Sequence, residues 1–451
     1  MQKNMTTGNP LSIILAFTVP LFIGNLCQQI YNTVDTMIVG QYLGERPLAA
    51  VGSTGTLMFM IIGLANGLCT GFTVLVSQKF GEGNEDGTRR SVANGTILSA
   101  ILIVVMTVLS LVLLPFILTW MHTPKEIYQD AYIYIQVICI GIFANVAYNY
   151  LASCLRAIGN SRIPLYMLIF SSVLNIILDF AFIGGLGTGV AGAAWATVIS
   201  QGASAVLCLL YIVKREPLLQ PSASMFRLNR SITRNQLTVG VPMALQFGIT
   251  GSGTVIMQSA VNLFGATAVA AYSAAGKITS LSMQGAISLG QTMATYAGQN
   301  FGARKVSRIR QGVRYALVIN VIYSIAAGLL VYLGLPFFMK LFFNEQTDMT
   351  EIMKYARQYI AVCVSFYIPL SVIFTFRNTM QGCGYGFLPM MGGVVELFAR
   401  LACAMLAMRT FSYILACFCD PAAWLAAGIF TMVSYLIVIR KILRLPGMAE
   451  T

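Results

Sequence analysis

The sequence predicts an all-α membrane protein of twelve transmembrane helices in two pseudo-symmetric six-helix bundles, and three observations carry that prediction. The first is composition: 57% of the residues are hydrophobic and 10% charged, against about 25% charged in soluble domains, which excludes a water-soluble globule. The second is that apolar runs long enough to cross about 30 Å of hydrocarbon recur from one end to the other. The third is that the chain repeats its own layout about 220 residues further on.

Taken in order, the predicted spans are 11–40, 48–77, 92–120, 132–156, 162–184, 188–213, 236–263, 267–297, 312–340, 357–381, 387–408 and 421–440. The first follows a short polar N-terminus without a basic n-region or a small-residue cleavage site, so it reads as a retained span and not a cleaved signal. The longest polar stretch, KREPLLQPSASMFRLNRSITRN at 214–235, contains Pro and Ser and falls at mid-chain. It reads as a cytoplasmic linker between an N-terminal bundle, 1–213, and a C-terminal bundle, 236–451. The repeat supports that division. Val19-Pro20 recurs as Val241-Pro242, Leu43-Gly44 as Phe264-Gly265, and Leu48-Ala49-Ala50 as Val269-Ala270-Ala271. Gln78, Phe80-Gly81, Arg89 and Val92 match Gln299, Phe301-Gly302, Arg310 and Val313, and Gly159 and Pro164 match Gly384 and Pro389. Six spans per half is an even number, so both halves share one orientation.

The net charge of +13 does not point to nucleic acid, because the basic residues are distributed by loop and not as a patch. With the N-terminus inside, nineteen Lys and Arg flank the inner side and six the outer, while Lys277, Arg377 and Arg400 lie in spans. Positive charge concentrates on the cytoplasmic side, which predicts a multi-pass protein of the plasma (inner) membrane with both termini cytoplasmic. The ten cysteines fall mostly within spans without metal spacing and read as small apolar core residues. Cys417 and Cys419 are too close in sequence to suggest a disulfide framework. The single histidine, His122, is placed in an outer loop, and no HExxH, DDxxD or Ser/His/Asp arrangement is present. The chain is therefore expected to be neither an enzyme nor a cofactor protein.

Among the fifteen acidic residues, only Asp35, Asp179 and Glu396 fall inside predicted spans. A carboxylate in a span costs roughly 2.5 to 3.5 kcal/mol on insertion scales, so it persists mainly where it pairs, binds an ion or relays a proton. Asn25, Gln28, Asn32 and Asp35 share one face of span one, and Ser171, Asn175 and Asp179 form an i, i+4, i+8 stripe on span five. Thr197, Ser200, Gln201 and Ser204 add a polar face on span six. Lipid cannot satisfy these groups, so all three faces are expected to turn into the first bundle. At 1.5 Å per residue, Asp35 lies about 13 Å before Gly44, Asp179 about 8 Å before Gly184 and Thr197 about 13 Å after Thr188. All three fall in the outer half of the membrane. Two neighbouring carboxylates in a low-dielectric site cannot both stay charged cheaply, so one holds a proton or the pair shares a cation. With neutral oxygens from Asn175 and Thr197, the site suits H+ or Na+.

Pro20 removes a hydrogen bond inside span one and is a candidate hinge. The second half replaces both aspartates with apolar residues. Its span seven carries a neutral stripe of Gln246, Thr250, Thr254 and Gln258, span eight places Lys277, Gln284 and Gln291 at heptad spacing, and Glu396 and Arg400 form an i, i+4 pair. Gln28, Asn32, Gln246, Gln258, Lys277, Gln284, Glu396 and Arg400 are candidate substrate or lobe contacts.

Four stretches, VDTMIVGQYLG (34–44), LRAIGNSRIPLYM (155–167), LNIILDFAFI (174–183) and GVAGAAWATVISQ (189–201), resemble the multidrug and toxic compound extrusion (MATE) transporters over essentially the whole chain. That resemblance implies a secondary active exporter in which two six-helix bundles alternate between inward-open and outward-open states. It implies expulsion of amphipathic organic cations in exchange for H+ or Na+, by a monomer that needs only the lipid bilayer as its partner. It carries the family's first-lobe cation site onto Asp35, Asn175, Asp179 and Thr197. The NorM and eukaryotic branches have an acid in span seven where this chain has only Gln246 and Gln258, so the chain looks like the DinF branch. Lipid-linked oligosaccharide flippases of the same superfamily are the alternative.

Overall fold

The computed structural model describes residues 4–121, 123–343 and 349–448. His122 lies outside the described residues. Among these residues the regular elements are helices: α1 (Pro10–Leu43), α2 (Glu45–Ser53), α3 (Gly55–Gly81), α4 (Glu85–Trp120), α5 (Lys125–Ile140), α6 (Ile142–Ala157), α7 (Arg162–Asp179) and α8 (Gly189–Arg215). They continue as α9 (Arg230–Asn262), α10 (Gly265–Gly302), α11 (Val306–Lys340), α12 (Met349–Ser365), α13 (Tyr367–Gly382), α14 (Phe387–Thr410), α15 (Tyr413–Cys417) and α16 (Cys419–Leu443). Nine described helices are long and apolar enough to cross a membrane, and α5 with α6 and α12 with α13 form two further spans, each bent by 46°. Helix α10, 38 residues long and interrupted by Ser, Thr and Gln, completes the twelve.

Span two breaks at Thr54 into α2 and α3. Helix α9 begins at Arg230, within the stretch 214–235, and Asn229 caps it by accepting from the Ser231 and Ile232 amides.

Contacts divide the chain into two compact units, one built on Val19–Phe247 and the other on Thr6–Thr18 with the chain from Gly248 onward. Helices α1 and α9 therefore each contribute to both units. In the first unit, Gln236 donates to the carbonyls of Phe72 (3.0 Å) and Ser91 (2.9 Å) and accepts from Asn94 (2.8 Å). Asn94 in turn accepts from the Asn229 amide (2.9 Å), so the start of α9 is tied to α3 and α4. In the second unit, Lys305 and Arg308 donate to the carbonyls of Thr6 (2.9 Å) and Gly8 (3.0 Å), and Thr18 bonds Thr292 (2.8 Å).

Helical periodicity separates lipid-facing from core-facing residues within each unit. On α4, Leu98, Leu102, Met106, Leu114 and Leu118 are buried, while Val104, Val108, Val112 and Phe116 are exposed. On α11, Ala316, Asn320, Ser324, Val331, Leu335 and Met339 are buried, while Val318, Ile322, Ile325, Leu329 and Leu333 are exposed. Exposed apolar surface in such stripes belongs against hydrocarbon.

The repeat extends to backbone conformation. Gly44 and Gly265 both take a left-handed φ, +89° and +86°, after the first helix of their halves, and Gly159 and Gly384 do so at +84° and +90°. Arg304, at φ +59°, occupies the place that Gly83 holds in the first half. The two bent spans break at Gly141 and Phe366, which also correspond.

Small residues allow α3 and α9 to meet backbone to backbone. A Cβ built on Gly67 would stand 2.7 Å from Ala244 Cα, and one on Gly71 would overlap Gly240 Cα. Two small-xxx-small pairs thus face each other, an arrangement that gives close van der Waals packing where lipid supplies no hydrophobic drive. Because the obstacle is backbone, Gly71→Leu is expected to cost at least about 3 kcal/mol, the upper end of overpacking, and to lower the thermal midpoint in detergent. Gly52→Ala, with nothing within 4 Å of the added carbon, should leave it unchanged.

Candidate functional site

The polar stripe of α7 points inward as its spacing requires: Ser171, Asn175 and Asp179 are buried, whereas Val173 and Ile177 between them are exposed. The α-helix ends at Asp179 and the next six residues, Phe180–Gly185, wind as a π-helix. Such wide turns are rare and frequently occur at functional sites. On α8, Thr197, Ser200 and Ser204 are buried and Trp195 and Ile199 exposed.

Asp35 of α1 meets this surface. It is 8% exposed and Asp179 0%, and the two carboxyl groups stand within hydrogen-bonding distance of each other. Ionised carboxylates only accept, so this contact requires a shared proton or a bound cation. Asn175 donates to the Thr197 hydroxyl at 3.4 Å, and Thr197 donates to Ala193 O at 3.2 Å. The four residues singled out by sequence are thus brought together inside the first unit.

The structure adds two residues to them. Tyr31, one turn before Asp35, bonds Thr197 and lies in the field of both aspartates. Tyr134 of α5, 5% exposed, lies within electrostatic range of Asp35, Tyr31 and Asp179. The i, i+4 relation of Tyr31 to Asp35 is a sequence signal that could have found the first. Nothing in the sequence marks Tyr134 over the chain's other tyrosines.

The expected common inward face of α1 is corrected. Gln28 and Asn32 are exposed and Asn25 half-buried, and Asn32 bonds Gln29 of its own helix at 3.4 Å. A stripe tells which residues share a face, but not how far along the axis a neighbour covers it. The heptad on α10 divides in the same way: Gln284 is buried and donates to Ser280 O at 3.1 Å, while Lys277 and Gln291 are exposed. On α9, Gln246 and Gln258 are half-buried, and Gln258 donates to Asn262 at 2.8 Å.

Glu396 and Arg400 are part of a larger cluster in the second unit. Glu396 accepts from Arg377 at 3.2 Å and pairs with Arg400 at 3.5 Å. Arg400 also bonds Asp420 at 2.8 Å. Asp420 was expected in an outer loop, but it occupies the first turn of α16, where an acid is favoured by the helix dipole. Gly253 of α9 leaves room for the guanidinium, since a Cβ there would stand 2.8 Å from Arg400 Nη1. Two cations and two anions cancel, and the network fixes α13, α14 and α16 to one another. Glu396→Gln leaves two buried guanidinium groups sharing a single carboxylate. It should destabilise the protein by about 3 to 5 kcal/mol, as breaking a buried pair does, seen as a lower thermal midpoint and loss of monodisperse protein.

The family model described as MatE matches residues 20–181 and 242–406, that is, parts of both halves. The chain is 28% identical over 390 residues to the probable multidrug resistance protein YoeA of Bacillus subtilis (strain 168), covering 85% of this chain and 83% of that protein. It is 23% identical over 403 residues to the probable multidrug resistance protein NorM of Thermotoga maritima, covering 88% and 86%. A solved MOP superfamily transporter from Pyrococcus furiosus shares the fold with a TM-score of 0.91 at 24% identity, over 97% of each chain. A structure described as the outward-facing conformation of a multidrug resistance MATE family transporter does so with a TM-score of 0.91 at 24% identity, over 99% of this chain and 98% of that one. With both halves matched by one family model over well above half of its length, the chain belongs to the MatE family and is a multi-pass membrane transporter, not an enzyme.

Proposed function

We propose that this transporter is a cation-coupled antiporter that exports amphipathic organic cations in exchange for H+ or Na+ by alternating access. The observation that carries the proposal is the direct contact of Asp35 with Asp179 in the first unit, surrounded by the neutral oxygens of Asn175, Thr197 and Tyr31. An all-oxygen site with two carboxylates suits a hard monovalent cation or a proton. Occupation by either removes the repulsion between the acids and favours their contact. Loss of the ion leaves two charges that favour separation, so the position of α1 depends on occupancy.

Pro20 supports that coupling, because it leaves Ala16 O without its helical donor and lies next to the Thr18/Val19 boundary at which α1 passes from one unit to the other. The bundles 1–213 and 236–451, joined by the 214–235 linker, are the alternating parts. Positive charge at the inner loops supports cytoplasmic termini in the plasma membrane, and the family reading supports a monomer. Gln28, Asn32 and Lys277 are exposed polar groups on spans, which suits contact with a passing substrate. Gln246, Gln258 and Gln284 are neutral candidates for the same role. Glu396 and Arg400, buried in a neutral network, suit a structural role.

Efflux of a fluorescent amphipathic cation from proteoliposomes tests the proposal, with a pH gradient and a Na+ gradient imposed separately. Wild type should respond to at least one. Asp35→Asn combined with Asp179→Asn should lower gradient-driven efflux at least tenfold, and efflux that persists in this variant would overturn the coupling role. Tyr31→Phe keeps the ring and removes the hydroxyl that bonds Thr197. It should shift the ion dependence of transport toward higher H+ or Na+ concentration while leaving the thermal midpoint within a few degrees of wild type.

A further inference from the structure

We propose that Cys403 and Cys419 form an oxidation site at which an oxidant of the peroxide class joins α14 to α16 through a disulfide. All ten cysteines are free thiols, eight of them buried, with Cys27 and Cys403 partly accessible. The short helix α15 turns the chain back between α14 and α16, and its Leu415 carbonyl receives both thiols, Cys403 at 3.3 Å and Cys419 at 3.8 Å. One carbonyl oxygen serving both thiols places the two sulfurs side by side. Cys417, nearest to Cys419 in sequence, is buried and does not share the Leu415 carbonyl. The partnership therefore joins residues sixteen apart and passes over the neighbour two apart.

The chemistry is a two-electron oxidation. The more accessible Cys403 sulfur, as thiolate, attacks one peroxide oxygen, the O–O bond breaks, and the departing hydroxide takes up the thiol proton to leave as water. Cys419 then displaces hydroxide from the sulfenic acid, the S–S bond forms, and its proton leaves in a second water. Both S–H bonds are lost, the sulfurs give up two electrons and the peroxide gains them. Two sulfurs that share one acceptor have to close to about 2.05 Å for the bond to form. Cys403 lies one turn after Arg400, and Cys419 adjoins Asp420. The disulfide would therefore sit beside the Arg400–Asp420 bridge and hold α14 and α16 together where they carry those charges.

Treating the purified full-length chain in detergent with hydrogen peroxide tests this by intact mass and peptide mapping. The expected result is loss of about 2 Da, reversed by dithiothreitol, with one linked peptide pair containing Cys403 and Cys419. Cys417→Ser should retain the linkage, whereas Cys403→Ser and, independently, Cys419→Ala should each abolish it. The oxidised wild type should also melt a few degrees higher, because the closed loop restricts the unfolded chain. A disulfide that includes Cys417 would overturn the proposal. So would over-oxidation of Cys403 while Cys419 can still be alkylated.

Discussion

A hydrocarbon solvent accepts and donates no hydrogen bonds, and this constraint orders the rest of the structure. It forces the backbone into helices whose bonds close internally. It also favours, for polar side chains in spans, a protein neighbour, the helix's own backbone or an accessible surface. Thr36, Thr96 and Ser172 each donate to the carbonyl four residues earlier, whereas Thr18 and Thr292 also bond each other across helices. Groups that cannot be satisfied in this way, the carboxylates and guanidinium groups, have to find one another across helices.

The two units meet that requirement in different ways. In the second, Arg377, Glu396, Arg400 and Asp420 join three helices in a network whose charges cancel. In the first, Asp35 and Asp179 face each other among hydroxyl and amide groups, so one carboxylate depends on a proton or cation to compensate the other. A cancelled network holds its helices in one arrangement, whereas an uncancelled pair changes its preferred separation with occupancy. That difference in charge balance, imposed on two units with corresponding backbone turns, underlies the proposal that the coupling ion binds in the first unit.

Packing imposes a second asymmetry on the same repeat. The close approach of α3 to α9 in the first unit depends on Gly67, Gly71, Gly240 and Ala244. In the second unit the stretch before α1 is held by charged donors, Lys305 and Arg308, on the carbonyls of Thr6 and Gly8. The halves therefore share turns and bends but not the chemistry that joins their helices.

Much of the fold was legible in the sequence because lipid gives each apolar run of about 20 residues one interpretation. The repeated Gly44/Gly265 and Gly159/Gly384 positions reappear as matched left-handed turns for the same local reason, since Gly bears no Cβ to oppose that φ. Asp35, Asn175, Asp179 and Thr197 were legible because polar groups in spans are costly, and helical spacing with depth brought them to one level. Tertiary structure alone decided what depends on contacts between helices distant in sequence. It brought Tyr134 within electrostatic range of the aspartates, drew Asp420 and Arg377 into the network around Glu396, left Gln28, Asn32 and Lys277 uncovered, and gave Cys403 and Cys419 one shared acceptor. Periodicity along one helix specifies its faces, but the element covering each face, and how far it extends, follows from packing in three dimensions.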